Sequence, residues 1–141
     1  MPSVVIPAHN EAAGIERCLR ALLAGGPPDL VVVVVPNACS DETAVRARAF
    51  GRDARGVQLH VIETATGGKT NALNLGERYR REQGLDRFPR LFLDGDIELG
   101  TGALPALLAA ADRPGARVVA ATPVFRTEEC GLFARLYFAA E

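Results

Sequence analysis

A chain of 141 residues corresponds to about one domain of the usual size of roughly 150 residues, and at that length folding buries roughly 68% of the unfolded surface. With 48% hydrophobic and 23% charged residues, the composition excludes the disordered and fibrous classes. Sixteen basic against seventeen acidic residues give a net charge of −1, which excludes a general nucleic-acid or anionic-membrane surface, so any anionic ligand must be held locally.

Along the chain, Ser3 to Ile6 is a β-branched run ended by Pro7, which reads as a buried strand. No positively charged segment precedes it, so no signal peptide is expected. Ile15, Leu19, Leu22 and Leu23 then form the apolar stripe of a helix, with Asn10 a candidate cap and Glu11 on its positive end. Gly25-Gly26-Pro27-Pro28 is a tight connection and not a domain boundary. Leu30 to Val35 is a second buried strand; at six residues it falls far short of the ~20 that span a membrane.

A helix is expected over Asp41 to Phe50, capped by Ser40 or Asp41. Gln58 to Glu63, Arg90 to Leu93 and Val118 to Ala121 are weaker strand candidates. Helical stripes recur at Ala72, Leu75, Gly76 and Tyr79 and at Leu104, Leu107, Leu108 and Ala111, and a last helix is expected over Leu132 to Ala140. Strands alternating with helices predict an α/β fold: a mostly parallel sheet with helices on both faces, as a single domain over residues 1–141. The three cysteines, Cys18, Cys39 and Cys130, are odd in number and widely spaced, as expected of reduced thiols in an intracellular protein.

Ligands of such sheets bind beyond the carboxyl ends of the strands. The four loops expected there are polar: Pro7-Ala8-His9-Asn10-Glu11, Pro36-Asn37-Ala38-Cys39-Ser40-Asp41, Thr66-Gly67-Gly68-Lys69-Thr70-Asn71 and Asp94-Gly95-Asp96-Ile97-Glu98. All four asparagines lie in or just after them. Fifteen of the sixteen cations are arginine and the one lysine is Lys69, consistent with a specific need for a compact ammonium. In Asp94-Gly95-Asp96, carboxylates two residues apart can converge on a hard cation such as magnesium or manganese, with Glu98 a possible third oxygen ligand.

Other motifs fail. Gly67-Gly68-Lys69-Thr70 has the end of a phosphate-binding P-loop, but Glu63 stands where that motif begins with glycine. Gly100-Thr101-Gly102 has Pro105 in place of the third glycine of a dinucleotide fingerprint. His9 and His60 lack zinc spacing, no serine elbow is present, and His60 alternates within a strand as a structural residue.

Taken in order, the polar loops resemble the N-terminal part of family 2 glycosyltransferases with the GT-A fold, over roughly Ser3 to Val124. P-A-H-N-E is similar to the family's nucleotide-binding opening, N-A-C-S-D-E-T to its second loop, G-G-K-T-N-A-L-N to its glycine-lysine segment and L-D-G-D to its D-x-D. The resemblance implies a three-layer, Rossmann-like GT-A sheet cut short in this chain. It places Pro7, Ala8, His9 and Glu11 in the nucleotide-sugar site, Asn37 at its border, Lys69 as electrostatic support and Asp94 near the ribose and diphosphate. Asp96 would be the main ligand of a divalent cation, Mg or Mn, with Asp94 and Glu98 beside it.

The implied reaction is inverting transfer of a sugar from a nucleotide-diphosphate sugar to an acceptor hydroxyl of unknown identity. His9 replaces the family's usual tyrosine, and Pro36-Asn37 stand where an acidic residue often contacts the base, so the base stays open. The later acidic motif that supplies the general base is not found after Val124. The expectation is therefore a donor-binding part of a larger transferase, cytoplasmic or at the inner face of the membrane. Self-association or membrane proximity would come through the missing part. A nucleotidyltransferase and a non-catalytic nucleotide-sugar binding module are the alternatives.

Overall fold

The computed structural model describes residues 2–54, 56, 58–85, 88–115 and 118–121. Four strands, β1 (Ser3–Ala8), β2 (Val31–Pro36), β3 (Gln58–Val61) and β4 (Arg90–Phe92), alternate with α1 (Ile15–Ala24), α2 (Thr43–Asp53), α3 (Lys69–Glu82) and α4 (Ala103–Ala111). They form one sheet in the order β3-β2-β1-β4. Every pairing is parallel, with Ser3 opposite Val31 and Arg90, and Val31 opposite Gln58.

The two central strands are buried along their whole length, which is why they are written as unbroken apolar runs. Alternate residues serve opposite faces. Val4, Ile6, Val32 and Val34 pack with Ile15, Leu19 and Leu22 of α1, Ala47 of α2 and Leu104 of α4. Val5, Val31, Val33 and Val35 meet Ala72 of α3, with Leu73, Leu75 and Tyr79 partly buried against them. Among the described residues α3 therefore covers one face alone.

Pro7 lies inside β1 instead of ending it, whereas Pro36 is the last residue of β2. Odd-numbered residues of β1 face β4, as the bonds from Ser3 N–H to Pro89 O and from Leu93 N–H to Val5 O show. The β1–β4 register ends at Val5, so the missing N–H of Pro7 removes no ladder bond. Pro36 still accepts the N–H of Thr64 at 3.0 Å.

The strand expected over Val118 to Ala121 is not formed: these residues are irregular and Val118 is 90% exposed. A short β-branched run becomes a strand only where a neighbouring ladder and a packed face receive it. The helix expected over Leu132 to Ala140, and Cys130, lie outside the described residues. His60 is structural as expected, 3.0 Å from the hydroxyl of Tyr79. Arg80 is a surprise: its guanidinium is fully buried, donating to the Ser3 hydroxyl and the Glu77 carboxylate at the end of α3 away from the polar loops. No helix of the described residues is long and apolar enough to cross a membrane.

Gly76 sets how close α3 comes to the sheet. A Cβ there would lie 2.5 Å from Val5 Cγ1 and 3.3 Å from Val35 Cγ2. Alanine is the better helix former by about 1 kcal/mol, yet Gly76→Ala is expected to destabilise the chain by about 1–3 kcal/mol through overpacking, measured by urea denaturation. A variant as stable as wild type would show that α3 is free to move outward.

Candidate functional site

Because the strands are parallel, the loops that follow them lie along one edge of the sheet. The first two loops are laced together by side chains bonded to backbone. Asn10, at φ 55° in the left-handed region that asparagine tolerates, accepts the N–H of Ser40 at 2.9 Å. Glu11 N–H donates to the Thr43 hydroxyl at 2.8 Å, and Ala12 N–H to Asp41 Oδ2 at 2.9 Å. Asn10 is therefore a bridge and not the cap of α1, whose N-cap position is Gly14.

Asp41 also accepts the N–H and the hydroxyl of Thr43, serving the start of α2 from just outside it. The Thr43 hydroxyl, followed by the N–H groups of Ala12 and Thr43, holds the Asp41 carboxyl below its ordinary value. This residue was expected only as a cap. Its second role, gripping the first loop, depends on a contact 29 residues away, and the capping pattern carries no signal for it.

Asn37, only 3% exposed, joins three loops. Its Nδ2 donates to Ala8 O at 2.8 Å and its Oδ1 accepts the N–H of Gly68 at 3.1 Å. Its own N–H also donates to Ala8 O at 2.9 Å, and its carbonyl lies 2.7 Å from His9 Nδ1. Gly68, at φ 112°, is the N-cap position of α3, so this contact places Lys69. Glu63, which excluded a P-loop, ion-pairs with Arg48 of α2.

Between the loops lies an open cleft of about 230 Å³ lined by Pro7, His9, Glu11, Asn37, Lys69, Asp94, Gly95 and Asp96. It is smaller than the ~300–1,000 Å³ of pockets that enclose a whole small ligand. The structure thus brings together seven residues singled out in the sequence and adds Gly95. A Cβ on Gly95 would stand 3.1 Å from Ala8 Cβ and 3.4 Å from Glu11 Cγ, so glycine lets the Asp94-Gly95-Asp96 loop rest on the first loop.

Two expected residues lie elsewhere. Ala8 is buried and acts through its carbonyl. Glu98 lines a separate depression with Ala21, Ala24 and Leu99, because the turn closed by Ile97 N–H on Asp94 O carries the chain past the cleft toward α1.

The cleft is acidic with one cation. Lys69 Nζ sits 2.6 Å from Asp94 Oδ1 and 2.8 Å from Oδ2. Burial, then the negative charges of Asp96 and Asp41, raise the carboxyl of Glu11, with Asp94 adding to the effect. Beneath the loop, Cys18 donates to Asp94 O at 3.6 Å, and burial first, then Asp96, Glu11 and Asp94, push its thiol up to about 12. Among the described residues no group of three or more His, Cys, Asp or Glu side chains is arranged as a metal cage. The donor set instead fits a hard cation held by one or two carboxylates together with phosphates of a ligand; the cation that Asp94 meets in this structure is the Lys69 ammonium.

A parallel sheet flanked by helices, with its strand-end loops gathered around an acidic cleft, is the Rossmann-like architecture of the GT-A class. The model of glycosyl transferase family 2 matches residues 3–139, and the chain belongs to that family. No curated protein matches the chain.

Among solved structures it is similar to the mannosyltransferase PcManGT from Pyrobaculum calidifontis, in complex with GDP-Man and Mn2+, at 26% identity and a TM-score of 0.69. That match covers 80% of this chain and 32% of that one. It is also similar to glucosyl-3-phosphoglycerate synthase from Mycobacterium tuberculosis in complex with UDP, at 25% identity and a TM-score of 0.57, covering 77% of this chain and 39% of that one. S. aureus TarS with UDP-GlcNAc, at 23% identity and a TM-score of 0.58, covers 79% and 31% and shares the fold. The chain spans about a third of the length of these structures.

The Asp41 contacts carry a pH signature. A carboxyl held below its unfolded value of about 3.8 contributes stability that is full above that pH and is lost as the pH falls through the folded value. Asp41→Asn is therefore expected to lower the melting temperature at neutral pH, with the gap to wild type closing below pH 3.8. A gap independent of pH would assign the loss to geometry alone.

Proposed function

We propose that this chain is the donor-binding part of a nucleotide-sugar-dependent glycosyltransferase, folded as one domain over residues 1–141. The observation that carries it is the convergence of four strand-end loops on one cleft that holds Lys69 with Asp94 and Asp96 and, beside them, His9, Glu11 and Asn37. The complexes of similar proteins with GDP-Man, UDP-glucose and Mn2+ support the ligand class.

In this reading Asp96, with Asp94, would hold a divalent cation, whose chemistry when bound is Lewis-acid stabilisation of the departing diphosphate. Asp96 would be the principal ligand, as the family resemblance implies; that the lysine contact in the cleft is made by Asp94 supports this assignment. Lys69, beside Asp94 in the cleft, would add positive charge against the negative charge that develops on the diphosphate as its bond to the sugar breaks. Pro7 and His9 border the nucleoside, and Asn37 orders the wall around it. Transfer to an acceptor hydroxyl with inversion at the anomeric carbon is the reaction that the family implies. Placement in the cytoplasm or at the inner face of the membrane belongs to the same proposal.

Titration calorimetry with UDP- and GDP-sugars, with and without Mn2+, tests the function: binding strengthened by the metal supports it, and no binding of any nucleotide sugar overturns it. Asp96→Asn is expected to abolish the metal's enhancement of nucleotide-diphosphate affinity, at least tenfold in wild type, because a hydrogen-bonding amide no longer offers the cation a charge. Equal Mn2+ enhancement in the two proteins would remove Asp96 from the metal site.

Lys69→Ala is expected to act in two directions. Freeing Asp94 from an exposed ion pair worth up to ~1 kcal/mol strengthens binding of Mn2+ alone by up to about fivefold, while nucleotide diphosphate binds more weakly. If both affinities fell, Lys69 would be holding the acidic loop in shape rather than competing with the metal.

A further inference from the structure

His9 has a fixed proton. Its Nδ1 lies 2.7 Å from the backbone oxygen of Asn37, and a carbonyl oxygen can only accept, so Nδ1 carries the hydrogen and the neutral ring keeps its lone pair on Nε2. Asn10 agrees: its Nδ2, a donor, faces that Nε2 at 3.5 Å, while its Oδ1 is turned to Ser40. At 3.5 Å this is a marginal hydrogen bond, and it leaves the lone pair open to a better donor.

Asn37 borders the same cleft but its amide is committed to the protein. Nδ2 is given to Ala8 O and Oδ1 takes the Gly68 N–H, in a side chain that is almost wholly buried. Under the function proposed above, on which this inference rests, the diphosphate and its cation belong with Lys69, Asp94 and Asp96, where the charge is. The uncharged edge of the cleft left for the nucleobase is made by Pro7, His9 and Asn37. Pro7 has no N–H, and both polar atoms of the buried Asn37 amide already have a partner, so the Nε2 lone pair is the side-chain acceptor that this edge offers to a base.

We infer that His9 selects the nucleobase: its Nε2 accepts a hydrogen bond from a ring lactam N–H, as in uracil or guanine, and Asn37 is the positioning residue that fixes the tautomer. Cytosine and adenine present a bare ring nitrogen at the corresponding edge, which would set one lone pair against another. Their exocyclic amino group could reach Nε2 only by a shift of the base in the cleft, and in the register that pairs a lactam N–H with Nε2 both facing groups lose water without gaining a partner.

The experiment is titration calorimetry of the full chain with UDP, GDP, CDP and ADP, each with Mn2+, for wild type, His9→Phe and His9→Gln. Wild type is expected to bind UDP or GDP at least about tenfold more tightly than CDP and ADP, and the better of the two identifies the base as uracil or guanine. His9→Phe keeps a flat ring without an acceptor, and His9→Gln offers both a donor and an acceptor. Either variant, whichever folds as judged by circular dichroism, is expected to bring the four affinities within about threefold of one another.

Wild type binding all four equally, or preferring CDP or ADP, overturns the inference and leaves the donor-binding function standing. So does a folded variant that keeps the wild-type preference. If none of the four diphosphates binds, the function and the inference fail together.

Discussion

The amide of Asn37 ties the polar loops into one site. Parallel strands deliver their loops to one edge of the sheet, but pairing sets only where each loop begins. Since β2 lies between β1 and β3, a residue at its end can reach both neighbouring loops, and Asn37 does so with a donor and an acceptor on one short side chain. Buried, neither group has water as an alternative, and an unsatisfied one costs about 1–3 kcal/mol. The geometry that satisfies both fixes Ala8, Gly68 and the start of α3 together. The same residue's carbonyl orients His9, so the wall of the cleft follows from one residue's hydrogen bonds.

Against that ordered wall stands a concentration of like charge. Glu11, Asp94 and Asp96 face one small cleft with Lys69 as their companion cation. Burial and mutual repulsion raise the Glu11 carboxyl, a cost to the folded state at neutral pH, since a raised carboxyl pKa removes stability as the pH climbs through it. The buried sheet edge holds the acids together despite this. On the function proposed above, the same concentration of negative charge would attract a divalent cation.

The core serves the same end. Two faces of valine-rich strand are covered unequally, by α1, α2 and α4 on one side and by α3 on the other. Close approach at Gly76 seats α3 on β1 and β2, the strands whose loops carry His9 and Asn37. The helix that begins at Lys69 is thereby held by packing along its length and by the Asn37 contact at its start. The loop bearing Asp94 and Asp96 reaches the first loop through Gly95, where a side chain would crowd Ala8 and Glu11.

Periodicity in the sequence was enough to establish the α/β alternation, the parallel sheet, the valine strands and the helices around Leu19, Ala72 and Leu104, because a strand buried on both faces must be apolar throughout and a helix on a sheet must be apolar along one stripe. The polar loops after the strands were legible for the same reason, as the places where that pattern stops, and their order carried the family resemblance. Contacts between residues far apart in the chain were not legible. Asn10 bridges to Ser40 instead of capping α1, Ala8 contributes a carbonyl instead of a surface, and Glu98 lines a different depression from Asp96 although only Ile97 separates them. Val118 to Ala121, strand-like in composition, is irregular. Sequence determined which segments are buried and which loops are polar, since burial follows from the chemistry of each side chain. Tertiary structure decided which polar atoms meet, since a hydrogen bond depends on a separation of a few tenths of an ångström that is set only when the strands have paired and the helices have packed.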